Sequence, residues 1–166
     1  MDFIRNNMDI VPINVSYNSN ILHQNLTQLN RLYPFLNIQI IGRSILGNPI
    51  PCIKLGNGPN KVFYSGSIHA NEWITSVILM KFIEDFCKAY VSNTTIYNYS
   101  AMNLFSKASI FICPMVNPDG VNLVTGLYNS NSLEYIQANI IANNYPNIPF
   151  PNGWKANIRG VDFLKY

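Results

Sequence analysis

Charge is scarce in this chain: only 11% of its 166 residues are Asp, Glu, Lys or Arg, and the formal net charge is +3. The basic residues are scattered, so no stripe marks a nucleic-acid or anionic-lipid partner. Histidine is scarcer still, with two copies, His23 and His69. The three cysteines, Cys52, Cys87 and Cys113, are odd in number and lie far apart in apolar surroundings. That speaks against a disulfide framework or a Cys-rich zinc knuckle and predicts buried free thiols. No apolar run reaches membrane-spanning length, and the best one, Ile110 to Val116, contains a proline. The opening stretch Met1–Asn7 has no apolar core of signal-peptide length, so no export address is read and localisation stays open.

What the chain does have is a hydrophobic fraction of 48%, enough for one domain with a real core and against disorder. From Asn18, Leu22, Leu26, Leu29 and Tyr33 recur at helical steps and predict a helix that Pro34 ends. Two short strands are expected around residues 37–41 and 50–55, separated by a Gly-Asn-Pro turn at Gly47–Pro49. After a second turn at Gly56–Pro59, Lys61–Ser65 reads as a buried strand. A long apolar helix is expected from about Glu72 to Tyr90, sandwiched between other elements. Ser109–Val116 reads as an interior parallel strand, and Leu133–Asn143 as a helix before a Pro-rich loop at Tyr145–Gly153. Strands alternating with helices predict an α/β fold, with a mixed, largely parallel sheet and helices on both faces.

The sharpest local feature is Gly66-Ser67-Ile68-His69-Ala70-Asn71-Glu72-Trp73, between an apolar strand and a long helix, where open α/β sheets gather ligands. A His nitrogen and a carboxylate are both good zinc ligands, and a short turn aims them at one ion. The pair alone is weak, because a dipole-favouring Glu beside an ordinary His reads the same way.

Its context changes the weight. Ser65–Trp73 resembles the first zinc motif of the M14 metallocarboxypeptidase family. Asn117-Pro118-Asp119-Gly120 resembles that family's second landmark, and Trp154-Lys155-Ala156-Asn157-Ile158-Arg159-Gly160-Val161-Asp162 its third. Within the family, the wording is nearest the bacterial branch that cleaves γ-D-glutamyl–diamino acid bonds in cell-wall peptides.

The resemblance implies a zinc-dependent peptidase acting on a peptide or cell-wall peptide. In that picture His69 and Glu72 are zinc ligands, and Asp162 stands behind His69. Either Arg159 or Lys155 steadies the oxyanion; Arg suits the role better. Asn117–Gly120 is expected to be a structural turn, and Trp73 and Trp154 packing anchors.

The resemblance also implies a third protein ligand and a general base downstream, and neither follows Asp162 in Phe163-Leu164-Lys165-Tyr166. His23, upstream and expected on the polar side of the first helix, is out of order for that ligand. The expectation is therefore the N-terminal portion of a single catalytic domain, residues 1–166, truncated and impaired, with an apolar sheet edge uncovered. A separately encoded C-terminal half is a candidate partner. The alternatives are a non-catalytic remnant or peptide-binding partner, and an acyl-amino-acid hydrolase of the same zinc fold.

Overall fold

A computed structural model describes residues 9–164; the opening stretch read above for an export signal and the last two residues lie outside them. Helix α1 (Ser19–Leu32) starts where the sequence predicts. The Asn18 side chain accepts the Ile21 N–H at 3.1 Å, and Leu22, Leu26 and Leu29 are buried along one face. It ends at Tyr33, whose N–H still reaches the Leu29 carbonyl, one residue before Pro34 removes the next donor.

Strands β1 (Asn37–Arg43) and β2 (Pro49–Leu55) form an antiparallel hairpin whose register shifts between Ile40 and Gly42. Strand β3 (Asn60–Ser65) leads through a 3₁₀ turn at Ala70–Glu72 into α2 (Ile74–Val91). A two-strand ribbon of β4 (Thr95–Ile96) and β5 (Tyr99–Ser100) precedes α3 (Ala101–Lys107) and β6 (Ala108–Cys113). Helices α4 (Pro118–Val124) and α5 (Leu133–Ala142) follow. The main sheet has the order β1-β2-β6-β3.

The α/β architecture and the mixed sheet are as expected, but the expected balance of directions needs correction. Among the described strands β1–β2 and β2–β6 are antiparallel, and only β3–β6 is parallel. The short turn after β1 permits only an antiparallel partner, whereas the long excursion through α2 and α3 lets β6 return parallel to β3.

A second correction concerns β3, read as buried from its Val62-Phe63-Tyr64 run. All six of its residues are exposed, and Phe63 keeps 59% of its surface in contact with solvent. It is bonded to β6 on one side and lies at the edge of the sheet, so its apolar side chains have no cover among the described residues. The uncovered apolar edge expected from the sequence is this strand.

The larger core joins α1, α2, β2 and β6 through Leu22, Leu29, Ile53, Met80, Ile83, Phe86 and Ile112. Within it sits a fully buried carboxylate. Glu84 accepts the backbone N–H groups of Ile10 and Val11 at 2.8 and 3.2 Å and pairs with Lys81 at 3.2 Å and Lys88 at 2.8 Å. Asp9 bridges the same two lysines, so the entering chain is fastened to α2 by charge as well as by packing. The three cysteines are buried and free, as read from the sequence.

A smaller cluster of Ala70, Leu123, Ala138, Trp154 and Ile158 brings the 3₁₀ turn, α4, α5 and the 154–158 segment together. Trp154 is thus a packing anchor, and Trp73 packs against the larger core.

Candidate metal centre

The ends of β3 and β6 are laced together before any functional side chain appears. Gly66 N–H donates to Cys113 O at 2.9 Å, Val116 N–H to Gly66 O at 3.0 Å, and Asn117 N–H to Ser67 O at 3.0 Å. Ser67 takes a positive φ of 49°, a conformation that costs a non-glycine residue energy unless its surroundings hold it. They do: its N–H donates to Thr75 Oγ1 at 2.7 Å, and its hydroxyl meets Ser76 Oγ at 2.6 Å. The turn so fixed delivers His69 at the cap of the 3₁₀ turn, with Glu72 at its other end.

The three segments singled out in the sequence meet here, and Asn117 joins them. Its Oδ1 accepts the Gly120 N–H at 3.1 Å and caps α4. Its Nδ2 donates to Ile68 O at 3.3 Å and to Ala156 O at 3.0 Å. Ala70 N–H adds a bond to Lys155 O at 3.0 Å. A Cβ on Gly120 would stand 2.7 Å from each of Ala156 O, Ala70 Cβ and Asn117 Nδ2, so only glycine permits this approach. The segment from Asn117 to Gly120, expected to be a structural turn, is the capped first turn of α4. Asp119 in that turn is almost fully buried and accepts from Ser44 Oγ, Leu46 N–H and Asn48 Nδ2.

Asn157, which sequence reasoning passed over, organises the last segment. Its Oδ1 accepts the N–H groups of Arg159 at 2.9 Å and Val161 at 3.1 Å, and its carbonyl accepts from Gly160 and Trp154 Nε1. The signal was an Asx-turn residue three before a glycine, here Gly160, which takes a positive φ of 77°. The folded loop returns Asp162 to His69.

The result is a row of three side chains. His69 Nδ1 lies 2.9 Å from Glu72 Oε1, and His69 Nε2 lies 3.3 Å from Asp162 Oδ1. The His69 and Asp162 side chains are 15% and 21% exposed, while Glu72 is about half exposed at 48%. With the ring proton on Nε2 and donated to Asp162, the Nδ1 lone pair faces the Glu72 carboxylate. Two acceptors at that distance need a positive charge between them, a proton or a metal ion. The donor chemistry, one imidazole nitrogen and one carboxylate with a second carboxylate behind the ring, fits zinc. It supplies two protein ligands. Among the described residues no group of three His, Cys, Asp or Glu is placed to hold a metal ion.

Lys155 and Arg159 lie on the same segment with exposed side chains, and they differ in placement. Lys155 lines a groove of about 500 Å³ shared with Asn71, Phe150 and Asp162, and Arg159 does not. His23 is half-buried, with its Nε2 shielded from solvent. Desolvation holds its imidazolium below the ordinary range, and a ring hydrogen bond to Pro49 backbone opposes that shift.

An α/β sheet that gathers a histidine and two carboxylates beyond its strand ends is, as a class, a protein built to hold a ligand at that edge. The chain belongs to the zinc carboxypeptidase family, peptidase family M14, whose pattern it matches over residues 22–161. It is 42% identical over 147 residues to gamma-D-glutamyl-L-diamino acid endopeptidase 1 of Lysinibacillus sphaericus, covering 89% of this chain and 36% of the relative. It is 34% identical over 151 residues to the uncharacterized protein YqgT of Bacillus subtilis strain 168, covering 90% of this chain and 39% of that protein. The chain therefore spans little more than a third of these relatives' length.

Among solved structures, carboxypeptidase A from Helicoverpa armigera superposes with a TM-score of 0.58 at 16% identity. That match covers 92% of this chain and 32% of that one. Bovine thrombin-activatable fibrinolysis inhibitor, solved with tick carboxypeptidase inhibitor, gives 0.58 at 19% identity over 85% of this chain and 36% of that one. At such identities the likeness is one of fold. No helix among the described residues is long and apolar enough to cross a membrane.

Proposed function

We propose that this chain carries the His-Glu half of a zinc centre of a peptidase that cleaves γ-D-glutamyl–diamino acid bonds in cell-wall peptides. The observation that carries the reading is the row Glu72–His69–Asp162, in which the two ring nitrogens of one histidine lie 2.9 and 3.3 Å from carboxylate oxygens. In this reading His69 Nδ1 and Glu72 hold zinc, and Asp162 fixes the ring tautomer from the far side. Bound zinc would polarise the scissile carbonyl and lower the pKa of water. The chain's own residues orient the ring through Asp162, hold the turn through Ser67 and Asn117, and present a fixed cation. Arg159 or Lys155 serves as that cation beside the developing oxyanion. The substrate class rests on the relative of Lysinibacillus sphaericus, itself named for that bond.

Catalytic zinc takes three protein ligands and an open position. The reading therefore assigns a third ligand and a general base to polypeptide outside these residues, with residues 1–166 forming the N-terminal portion of one catalytic domain. The bare β3 edge and the share of the relatives' length covered support that assignment. By the same logic the chain alone turns over substrate poorly or not at all.

The test is zinc affinity, measured by competition with a chromophoric chelator. The chain should bind one zinc, His69→Ala should abolish binding, and Asp162→Asn should weaken it about 10–100-fold. Zinc binding that survives His69→Ala would sink the reading.

A further inference from the structure

The groove beside the row has a composition that the zinc reading does not use. It holds about 500 Å³ between the 3₁₀ turn, the end of α5 and the 145–156 loop, and Asp162 forms part of its wall. Ile141, Ile148 and Phe150 supply its apolar part. Polar side chains share the lining, among them Asp162, Asn147 and Tyr145, and two more stand out. Asn71, one residue past Ala70 in the turn that carries His69 and Glu72, has its Oδ1 shielded from solvent with no hydrogen-bond partner. Lys155 is the single Lys or Arg among the lining residues and makes no ion pair with a described residue.

An amide oxygen stripped of water and left unpaired is destabilising, and such groups in folded proteins call for a partner. The terminal amide torsion of Asn is broad, so a turn about χ2 presents either its oxygen or its NH₂ to the groove. The groove thus offers an amide that lacks a donor, an exposed cation and apolar side chains, and its wall includes Asp162, which meets the ring of His69.

We infer that this groove seats the substrate residue on one side of the scissile bond, and that this residue carries both a free carboxylate and an amide N–H. Lys155 takes the carboxylate and Asn71 takes the N–H. The inference rests on the proposed zinc peptidase reading and deepens it. A γ-linked glutamyl residue spends its side-chain carboxyl on the amide to be cut and leaves its α-carboxylate free, three carbons away. A site for that linkage therefore needs a cation at a set distance from the metal, which an α-linked substrate without an acidic side chain does not need. Lys155, on the wall that Asp162 shares, is that cation. Arg159, outside the groove, is left to face the oxyanion.

The experiment uses the intact chain labelled with ¹⁵N, and two probes: N-acetyl-γ-D-glutamyl-L-lysine and its analogue with the α-carboxylate converted to a carboxamide. The acid probe should shift the Asn71 side-chain NH₂ and the backbone signals of residues 147–156. Lys155→Met, a change at an exposed side chain, should weaken the acid probe about tenfold, the size of a lost charge-assisted contact, and the carboxamide less than twofold. Asn71→Leu should weaken both probes alike, and melting curves would show that each variant folds. Equal affinity of the acid probe for the parent and Lys155→Met would overturn the inference. So would shifts confined to residues outside the groove, or no shift at millimolar probe. A zinc titration in the same tube separates the two levels. Zinc shifts at His69 without groove shifts overturn only the inference, and absence of both overturns the reading beneath it.

Discussion

Replacing Asn117 with alanine should dismantle the junction that faces His69 toward Asp162. The side chain is 2% exposed and makes three hydrogen bonds, one capping α4 and two to carbonyls of the neighbouring segments. Loss of an Asn cap costs about 1 kcal/mol. The Ile68 and Ala156 carbonyls would lose a donor in a part-buried setting, at about 1 kcal/mol each, the low end for an unsatisfied group because water reaches part of the site. The sum is about 3 kcal/mol, which at roughly 2–4 °C per kcal/mol for a chain of this size lowers Tm by about 6–12 °C.

Asn117→Ser separates the two contributions, since serine caps a helix but does not reach Ile68 and Ala156. It should recover about a third of the loss. Calorimetry gives the Tm, and the His69 imidazole signals report whether the ring still meets Asp162. A Tm within 2 °C of the parent, with unchanged His69 signals, would refute the claim that Asn117 joins the three segments.

Gly120→Ala should destabilise as much or more, because the added methyl meets a carbonyl and a backbone-anchored methyl at 2.7 Å; a neutral effect on Tm would show that the segments part freely. Cys87 and Cys113, pushed up by burial to about 12 and about 11, should stay unreactive to a thiol reagent at pH 8 until the chain unfolds; rapid native labelling of either would contradict their burial. Acid should loosen the entering segment. Lys81 and Lys88 lower Asp9 to about 2, and hydrogen bonds from Lys88, Ile10 and Lys81 outweigh desolvation to lower Glu84. Folded values below the unfolded ones mean that stability is full above about pH 4 and is lost as pH falls toward 2, so Glu84→Gln should flatten that profile. Phe63→Lys on the bare β3 edge should reduce self-association in light scattering, and an unchanged signal would show that this edge attracts no partner.

Much of this fold is legible residue by residue. The helical recurrence of Leu22, Leu26 and Leu29, the Asn18 cap and Pro34 define α1 to within a residue. The apolar rows from Trp73 to Tyr90 locate α2, although its 3₁₀ entry is invisible to periodicity. Helices α3 and α4 were missed because each spans seven residues, too few for a repeat to declare itself. In α4 the residues that start a helix, Asn then Pro, are also turn residues. The Val62-Phe63-Tyr64 run misled for another reason: an apolar strand reads the same at the edge of a sheet as in its interior. Strand direction depends on how β6 meets β2, a long-range fact with no local signature.

At the site, the grouping of residues around His69 was legible through the family resemblance, and the division of labour between the two cations was not. His69, Glu72 and Asp162 were singled out together and do meet. Lys155 and Arg159 were indistinguishable by chemistry and part company only in where the loop around Asn157 leaves them. Asn71 carried no signal at all, because an unpartnered amide exists only once the chain is folded.

The most direct test of the zinc reading is a long-range ¹H–¹⁵N spectrum of the His69 ring, recorded before and after one equivalent of zinc. The account predicts that zinc moves Nδ1 alone, while Nε2 keeps its proton on Asp162. Coordination through Nε2, or a zinc shift at His23 with His69 unmoved, would contradict it.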